Sequence, residues 1–195
     1  MNTKMRAFFI VTLVMFNIEG SCSICQPRYS VILVRGDIYA DWVIAMAYAI
    51  RENIPVFTYS EEVSSELWKI LGGLLNQTNP SILIVGDIQS IPREIEIELI
   101  KRGFIVDRKA GITRVETSLV CAVELWDNVN SLVLVDGWRE DLYLVALEVS
   151  KQESAPIIYF RENRIPSSLS ELFKNRLKNV KRAYVIDGNK AIIEE

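Results

Sequence analysis

The residues of this chain best suited to recognition chemistry lie in the segment Arg108-Lys109-Ala110-Gly111-Ile112-Thr113-Arg114-Val115-Glu116-Thr117. A guanidinium offers a planar fork of donors that matches a carboxylate or phosphate in bidentate geometry. Gly111, between Arg108 and Arg114, permits a turn conformation that other residues disfavour. Two outcomes fit this pattern. In one, the arginines pair with Asp41 or Asp37 and lock a helix to the loop of the next unit, Arg114 approaching a carboxylate near the Gly36–Asp41 loop or its copy. In the other, they hold an external anionic ligand.

A second set of polar residues, Gly36-Asp37, Asp41, Gly86-Asp87 and Asp136, follows apolar runs. Acids at the carboxyl ends of strands raise a nucleotide or magnesium site, and with it a phosphotransferase or nuclease. Neither the G-x-G-x-x-G fingerprint nor the G-x-x-x-x-G-K-[ST] loop occurs, and no full second set of acids follows Asp136. The chain has no histidine, which removes the commonest general base, the serine triad and most zinc sites. Cys22 and Cys25 have C-x-x-C spacing but close a leader, whereas a redox pair opens a helix after a strand. Cys121 falls in an apolar helical pattern and reads as core. These features read as a protein that is not an enzyme and needs no cofactor.

The elements that position these residues repeat. Ser30-Val31-Ile32-Leu33-Val34-Arg35-Gly36 reads like Ser131-Leu132-Val133-Leu134-Val135-Asp136-Gly137, at an offset of 101. Pro55-Val56-Phe57 matches Pro156-Ile157-Ile158, and Ile82 to Val85 matches Ala183 to Ile186, at the same offset. Asp41 matches Asp141 after a one-residue deletion. Ordered matches at one spacing indicate a tandem duplication.

Apolar runs predict strands over 31–34, 56–59, 81–85, 104–106, 131–135, 157–160 and 183–186. Helices are expected over 41–51, after Ser60-Glu61-Glu62, over 92–102, 113–126, 139–151 and 168–178. Asp41 suits a cap or first-turn acid, and Pro92 a first turn. Thr113 with Glu116, and Ser168 with Glu171, have capping-box spacing. Strand–helix alternation with such apolar strands implies an α/β fold, here two tandem open units with mostly parallel sheets flanked by helices.

Half of the 195 residues are hydrophobic and about a quarter are charged, a globular composition. The net charge of −3 argues against nucleic acid. The local cluster Lys174, Arg176, Lys178, Lys181 and Arg182 reads as a solvated helix end and leaves a polyanion open. Lys4 and Arg6, an apolar run from Ala7 to Ile18, then Gly20, Ser21 and Ser23 have the order of a secretory signal. An uncleaved anchor and a first core helix are the alternatives. The leader is the one expected route to a membrane, and the chain is expected to be extracellular or at the cell surface. The units are 1–23 (signal peptide or anchor), 29–126 (first repeat) and 127–195 (second repeat, truncated).

Gly36-Asp37-Ile38-Tyr39-Ala40-Asp41-Trp42, then Ile54-Pro55-Val56-Phe57-Thr58, then the Arg108–Thr117 segment resemble, in order and spacing, the motifs of the type 2 cell wall binding repeat family. Val85-Gly86-Asp87-Ile88-Gln89-Ser90-Ile91 resembles its turn between strand and helix. The resemblance covers roughly residues 29 to 193. It implies non-covalent attachment to an anionic envelope polymer or to a surface-layer protein. It marks Asp41, Arg108, Gly111, Arg114, Thr117 and Asp141 as ligand-binding or inter-unit residues. An assembly subunit of a surface layer or filament, without polymer binding, is the alternative. Because the second repeat stops before its third helix, either another copy of the chain, in a homo-oligomer, or a larger surface protein is expected to cover its open end.

Overall fold

The computed structural model describes residues 28–60, 64–76, 79–161, 174–175, 177–187 and 191–194, the last four by their backbone. The leader, Cys22, Cys25, Arg176, the Ser168/Glu171 box and most of the helix expected at 168–178 lie outside the described residues.

Strands β1 (Val31–Arg35), β2 (Val56–Tyr59), β3 (Ser81–Val85) and β4 (Ile105–Lys109) form a parallel sheet in the order β2-β1-β3-β4. Helices α1 (Tyr39–Glu52), α2 (Ser65–Leu74) and α3 (Arg93–Lys101) connect them. Helix α4 (Arg114–Leu125) leads to a second sheet of β5 (Ser131–Asp136), β6 (Ile157–Phe160), β7 (Arg182–Ile186) and β8 (Ala191–Glu194), ordered β6-β5-β7-β8. A 3-10 turn at Glu140–Leu142 opens α5 (Tyr143–Glu153). The fold is α/β, as the strand–helix alternation requires. The pairing register repeats at the offset of the sequence: Ile32 pairs with Val56 and Val133 with Ile157, while Val31 pairs with Ile82 and Leu132 with Ala183.

Three details differ from the sequence expectation. β4 runs to Lys109, so Arg108 stands on a strand and not in a turn. The helix expected after Ser60 has Ser64 as its cap, whose hydroxyl accepts from Leu67 N at 3.1 Å. β8 pairs antiparallel to β7, where the first unit turns into α3.

Residues i and i+2 of a strand share a face. Val31, Leu33, Ile82 and Ile84 form one face of the first sheet and pack with Leu67, Leu71 and Leu99 of α2 and α3. Ile32, Val34, Leu83 and Val85 form the other, in a cluster continuous with Val133, Val135, Ile157 and Tyr159 of the second sheet. The two repeats therefore share one core. α1 makes this geometrically feasible: Ala40, Ala45, Ala47 and Ala49 are all buried, and their small side chains let it lie against the first sheet, α4 and α5. A helix apolar on nearly every side has to be enclosed this way. α4 packs on α1 and also on β6 of the second sheet.

Candidate functional site

In a sheet ordered β2-β1-β3-β4 the connections diverge between β1 and β3, where such folds place ligands at the strand ends. Here the two loops at that point are bound to each other. Arg35 Nε and Nη2 donate to the two carboxylate oxygens of Asp37 at 2.6 and 2.9 Å, and Arg35 Nη1 donates to Gln89 O at 3.2 Å. Asp87 Oδ1 accepts from Gln89 N, Ser90 N and Ser90 Oγ, folding the Gly86–Ser90 turn around itself.

Asp41 lies beneath this turn, 5 % exposed, with its Oδ2 3.5 Å from Ser90 Oγ. Burial, and then the negative charge of Asp87, push its carboxyl up to about 6, against smaller downward pulls from Ser90 and Arg114. Gly86 accommodates Asp41 in two ways. Its φ of +117° is a conformation that side-chain-bearing residues rarely adopt, and a Cβ there would stand 2.8 Å from Asp41 Oδ2. Asp41 is a first-turn acid of α1, whose cap position is held by Ile38.

Arg108 does not pair with Asp41 or Asp37. It donates from Nε to Glu96 at 2.9 Å and from Nη1 to the carbonyls of Gly86 and Asp87 at 2.9 and 3.0 Å, fastening α3 and the turn to β4. Its Nη2 is buried with no partner among the described residues. The neighbouring Lys109 is buried between Asp107 and Glu124, at 2.9 and 2.7 Å.

The turn into α4 is built by its own side chains. Thr113 caps the helix by accepting from Glu116 N at 3.2 Å, and Glu116 Oε2 accepts from Ile112 N at 2.8 Å. Thr117 Oγ1, buried, accepts from Gly111 N at 2.9 Å. The space at Gly111, not a left-handed backbone, demands glycine. Its φ lies outside the positive region, but a Cβ would fall 2.2 Å from Glu116 Cβ and 2.6 Å from Glu116 C.

Arg114, the first residue of α4, reaches the second repeat. Its Nη1 donates to Gly137 O at 2.6 Å and to Tyr143 Oη at 3.2 Å, and lies 3.4 Å from Glu140 Oε1. Arg114 therefore ties its helix to the loop of the next unit, but through Gly137, Glu140 and Tyr143, with neither Asp37 nor Asp41 as its pair. Asp141, the sequence counterpart of Asp41, is exposed and held by Arg139 at 2.8 and 2.9 Å. Trp138 lies between two guanidiniums, with Arg114 at 5.5 Å and Arg161 at 4.4 Å from its ring centre, and is 45 % exposed.

Sequence reasoning did not single out Ser118, Tyr143 or Tyr159. Ser118 Oγ accepts from Tyr159 N at 2.9 Å and donates to Val115 O at 2.7 Å, so α4 satisfies an edge donor of β6. Tyr159 Oη donates to Ala40 O at 2.9 Å, and Tyr143 Oη to Gly137 O at 2.6 Å. The one available signal was that Tyr159 stands where the first unit has Thr58: a tyrosine on a buried strand face needs a partner for its hydroxyl. Among the described residues, no group of three or more Cys, Asp or Glu side chains is arranged to hold a metal ion.

Among these polar residues Arg114, Ser118 and Tyr159 join one repeat to the next, while the others bind within a repeat. Comparison with known proteins agrees at the level of fold. No family model matches the chain. Over 85 % of its length it resembles Cwp8 from Clostridium difficile, with 26 % identity and a TM-score of 0.70, and it covers 28 % of that chain. It resembles Cwp6 from the same organism over 84 % of its length, with 24 % identity and a TM-score of 0.69, covering 26 % of that chain. Both neighbours are cell wall proteins of that organism. An uncharacterized protein of Pyrococcus abyssi is 29 % identical over 174 residues, and one of Pyrococcus horikoshii 28 % identical over 158 residues. The matches take in 87 % and 80 % of the chain but 52 % and 48 % of those relatives, so the chain spans about half the length of the curated proteins it matches.

Proposed function

We propose that this protein is a non-enzymatic cell-surface protein, exported from the cytoplasm, that attaches without covalent bonds to an anionic envelope polymer or to a surface layer. The resemblance to Cwp8 at 26 % identity is the observation that supports it most. The repeat motifs around Asp41 and Arg114 agree with it, as does the charged–apolar–small order of the leader. The test is co-sedimentation of the purified chain with cell envelopes of its source organism, before and after chemical removal of the anionic polymers. Retention that falls on removal is expected; retention that does not change would sink the polymer, and recovery of the native protein from the cytosol with Met1 intact would sink the location.

A second reading, an assembly subunit, is favoured by α5. Leu144 and Val145 are 59 % and 50 % exposed there, while their counterparts Val43 and Ile44 are buried on α1, which α4 covers. Among the described residues α5 has no such cover. Exposed neighbouring apolar side chains mark an interaction surface. Light scattering distinguishes the two readings: a concentration-dependent oligomer abolished by Leu144→Glu supports assembly, and a monomer at all concentrations removes it.

A further inference from the structure

The amino ends of β5 and β7 lie at the far end of the second sheet from the Arg114 junction. Between them is an open groove of about 500 Å3 lined by Asn128, Asn130, Lys178, Asn179, Val180 and Lys181. Its walls are held by backbone bonds. Lys181 N and Arg182 N both donate to Asn130 O, at 2.9 and 3.2 Å, and Val180 N donates to Leu177 O at 3.1 Å. Asn128 takes a left-handed conformation with φ of 54°. Because main-chain groups build the walls, the side chains are left uncommitted. None of the three amides or two ammonium groups has a hydrogen-bond or ion-pair partner among the described residues. Neighbouring Arg182 is engaged, with Glu153 at 3.1 Å.

The first repeat serves as an internal control. The sequence that precedes β3 reads Asn76-Gln77-Thr78-Asn79-Pro80, with Gln77 where Lys178 stands and Pro80 where Lys181 stands. A strand begins after both segments, so the strand does not require the two lysines. Their chemistry restricts the occupant. Ammonium groups donate only and carry charge, while amides both donate and accept. Val180 is the single apolar residue of the lining, which disfavours a hydrophobic ligand. No aromatic ring lines the groove on which a base could stack. Anionic groups for the lysines and hydroxyls for the asparagines occur together in an acidic oligosaccharide.

We propose that this groove binds an acidic oligosaccharide segment of an envelope polymer. The proposal deepens the polymer-attachment reading and rests on it. The test is an NMR titration of the isotopically labelled full chain with tetragalacturonate, with a glycerol-phosphate oligomer, and with neutral cellotetraose. Shifts centred on Asn128, Asn130, Lys178 and Lys181 are expected with at least one acidic probe, weakening as salt is raised, and none with the neutral one. The double variant Lys178→Gln/Lys181→Gln is expected to bind roughly tenfold more weakly with an unchanged melting temperature. The tetragalacturonate and glycerol-phosphate arms separate a carboxylated from a phosphorylated polymer. Shifts confined to the Trp138 and Arg114 end would overturn the groove while polymer attachment stands. So would a double variant that sediments with envelopes as the wild type does. No response to either acidic probe also overturns the groove, and polymer attachment is then decided by the envelope experiment alone.

Discussion

The carboxyl ends of the two sheets begin from matching sequence and reach different environments. In the first repeat Asp41 is 5 % exposed beneath the Gly86 turn, and its carboxyl is pushed up to about 6. In the second, Asp141 is exposed and paired with Arg139, which holds its carboxyl below the usual range. The one-residue deletion before Asp141 contributes, since the helix opens there through a 3-10 turn at Glu140–Leu142 and α5 begins only at Tyr143. The neighbours matter as much. The first loop faces the self-capped Gly86–Ser90 turn, while the second faces Arg114 from the preceding repeat. Similar strand–loop–helix segments thus do different work: one buries an acid, the other receives a guanidinium. The strands of the two units keep the same pairing register, whereas the loops are set by what packs on them.

The largest expected effect separates the turn of α4 from its partner loop. Gly111→Ala would drive a Cβ into the Glu116 backbone at 2.6 Å, which has no room to yield. Overpacking typically costs about 1–3 kcal/mol, and a backbone clash of this kind falls at the upper end of that range. Gly137→Ala meets Tyr159 Cβ at 3.1 Å, a tight contact that small shifts can relieve. Urea unfolding should rank Gly111→Ala well below Gly137→Ala; equal costs would mean that the α4 turn is not the stricter of the two.

The contrast between Asp41 and Asp141 can be tested by pH. Asp41 has its folded pKa raised above 3.8, so the fold prefers its protonated form. That contribution is complete below about pH 4 and is lost as pH rises through about 6. Wild type should lose about 2–3 kcal/mol across that window which Asp41→Asn does not lose. Unfolding free energies of both proteins at pH 4 and 7.5 check this, and Asp141→Asn should run parallel to wild type. Parallel curves for Asp41→Asn would show that its carboxyl is hydrated.

Arg114→Ala tests the contact between repeats. Arg114 is about a third exposed and Glu140 more so, and an ion pair of that kind is worth little. The donor bond to Gly137 O carries more, so a loss of about 1–2 kcal/mol is expected. Glu140→Gln should change stability by less than about 0.5 kcal/mol. Arg114→Lys should recover only part of the loss, because its ammonium ends one bond short of the Nη1 that makes all three contacts.

A small effect concerns the ends of the two matching helices. Asn53 and Ser154 both take left-handed conformations after α1 and α5, with φ of 54° and 48°. Asparagine tolerates this region better than serine. Ser154→Gly should stabilise by about 1 kcal/mol and Asn53→Gly by less, read as shifts in melting temperature.

The alternation of apolar strands and helices and the Thr113 cap were determined by the sequence, because each depends on residues near one another along the chain, and the repeat offset was legible because matching segments recur in order at one spacing. Strand 31–34 and its copy were legible because a strand buried on both faces has to be apolar throughout. The importance of Arg108 and Arg114 was legible from their chemistry, but their partners were not. A guanidinium can reach many acceptors, and only packing brought Glu96 to one, and Gly137 with Tyr143 to the other. The demand for glycine at position 111 was visible, but its cause, the position of Glu116, was not. Ser118 and Tyr159 carried no motif, since their roles arise where α4 meets a strand about forty residues further along. The shared core and the depth of Asp41 belong to the tertiary structure for the same reason: both depend on which surfaces the two repeats bury against each other.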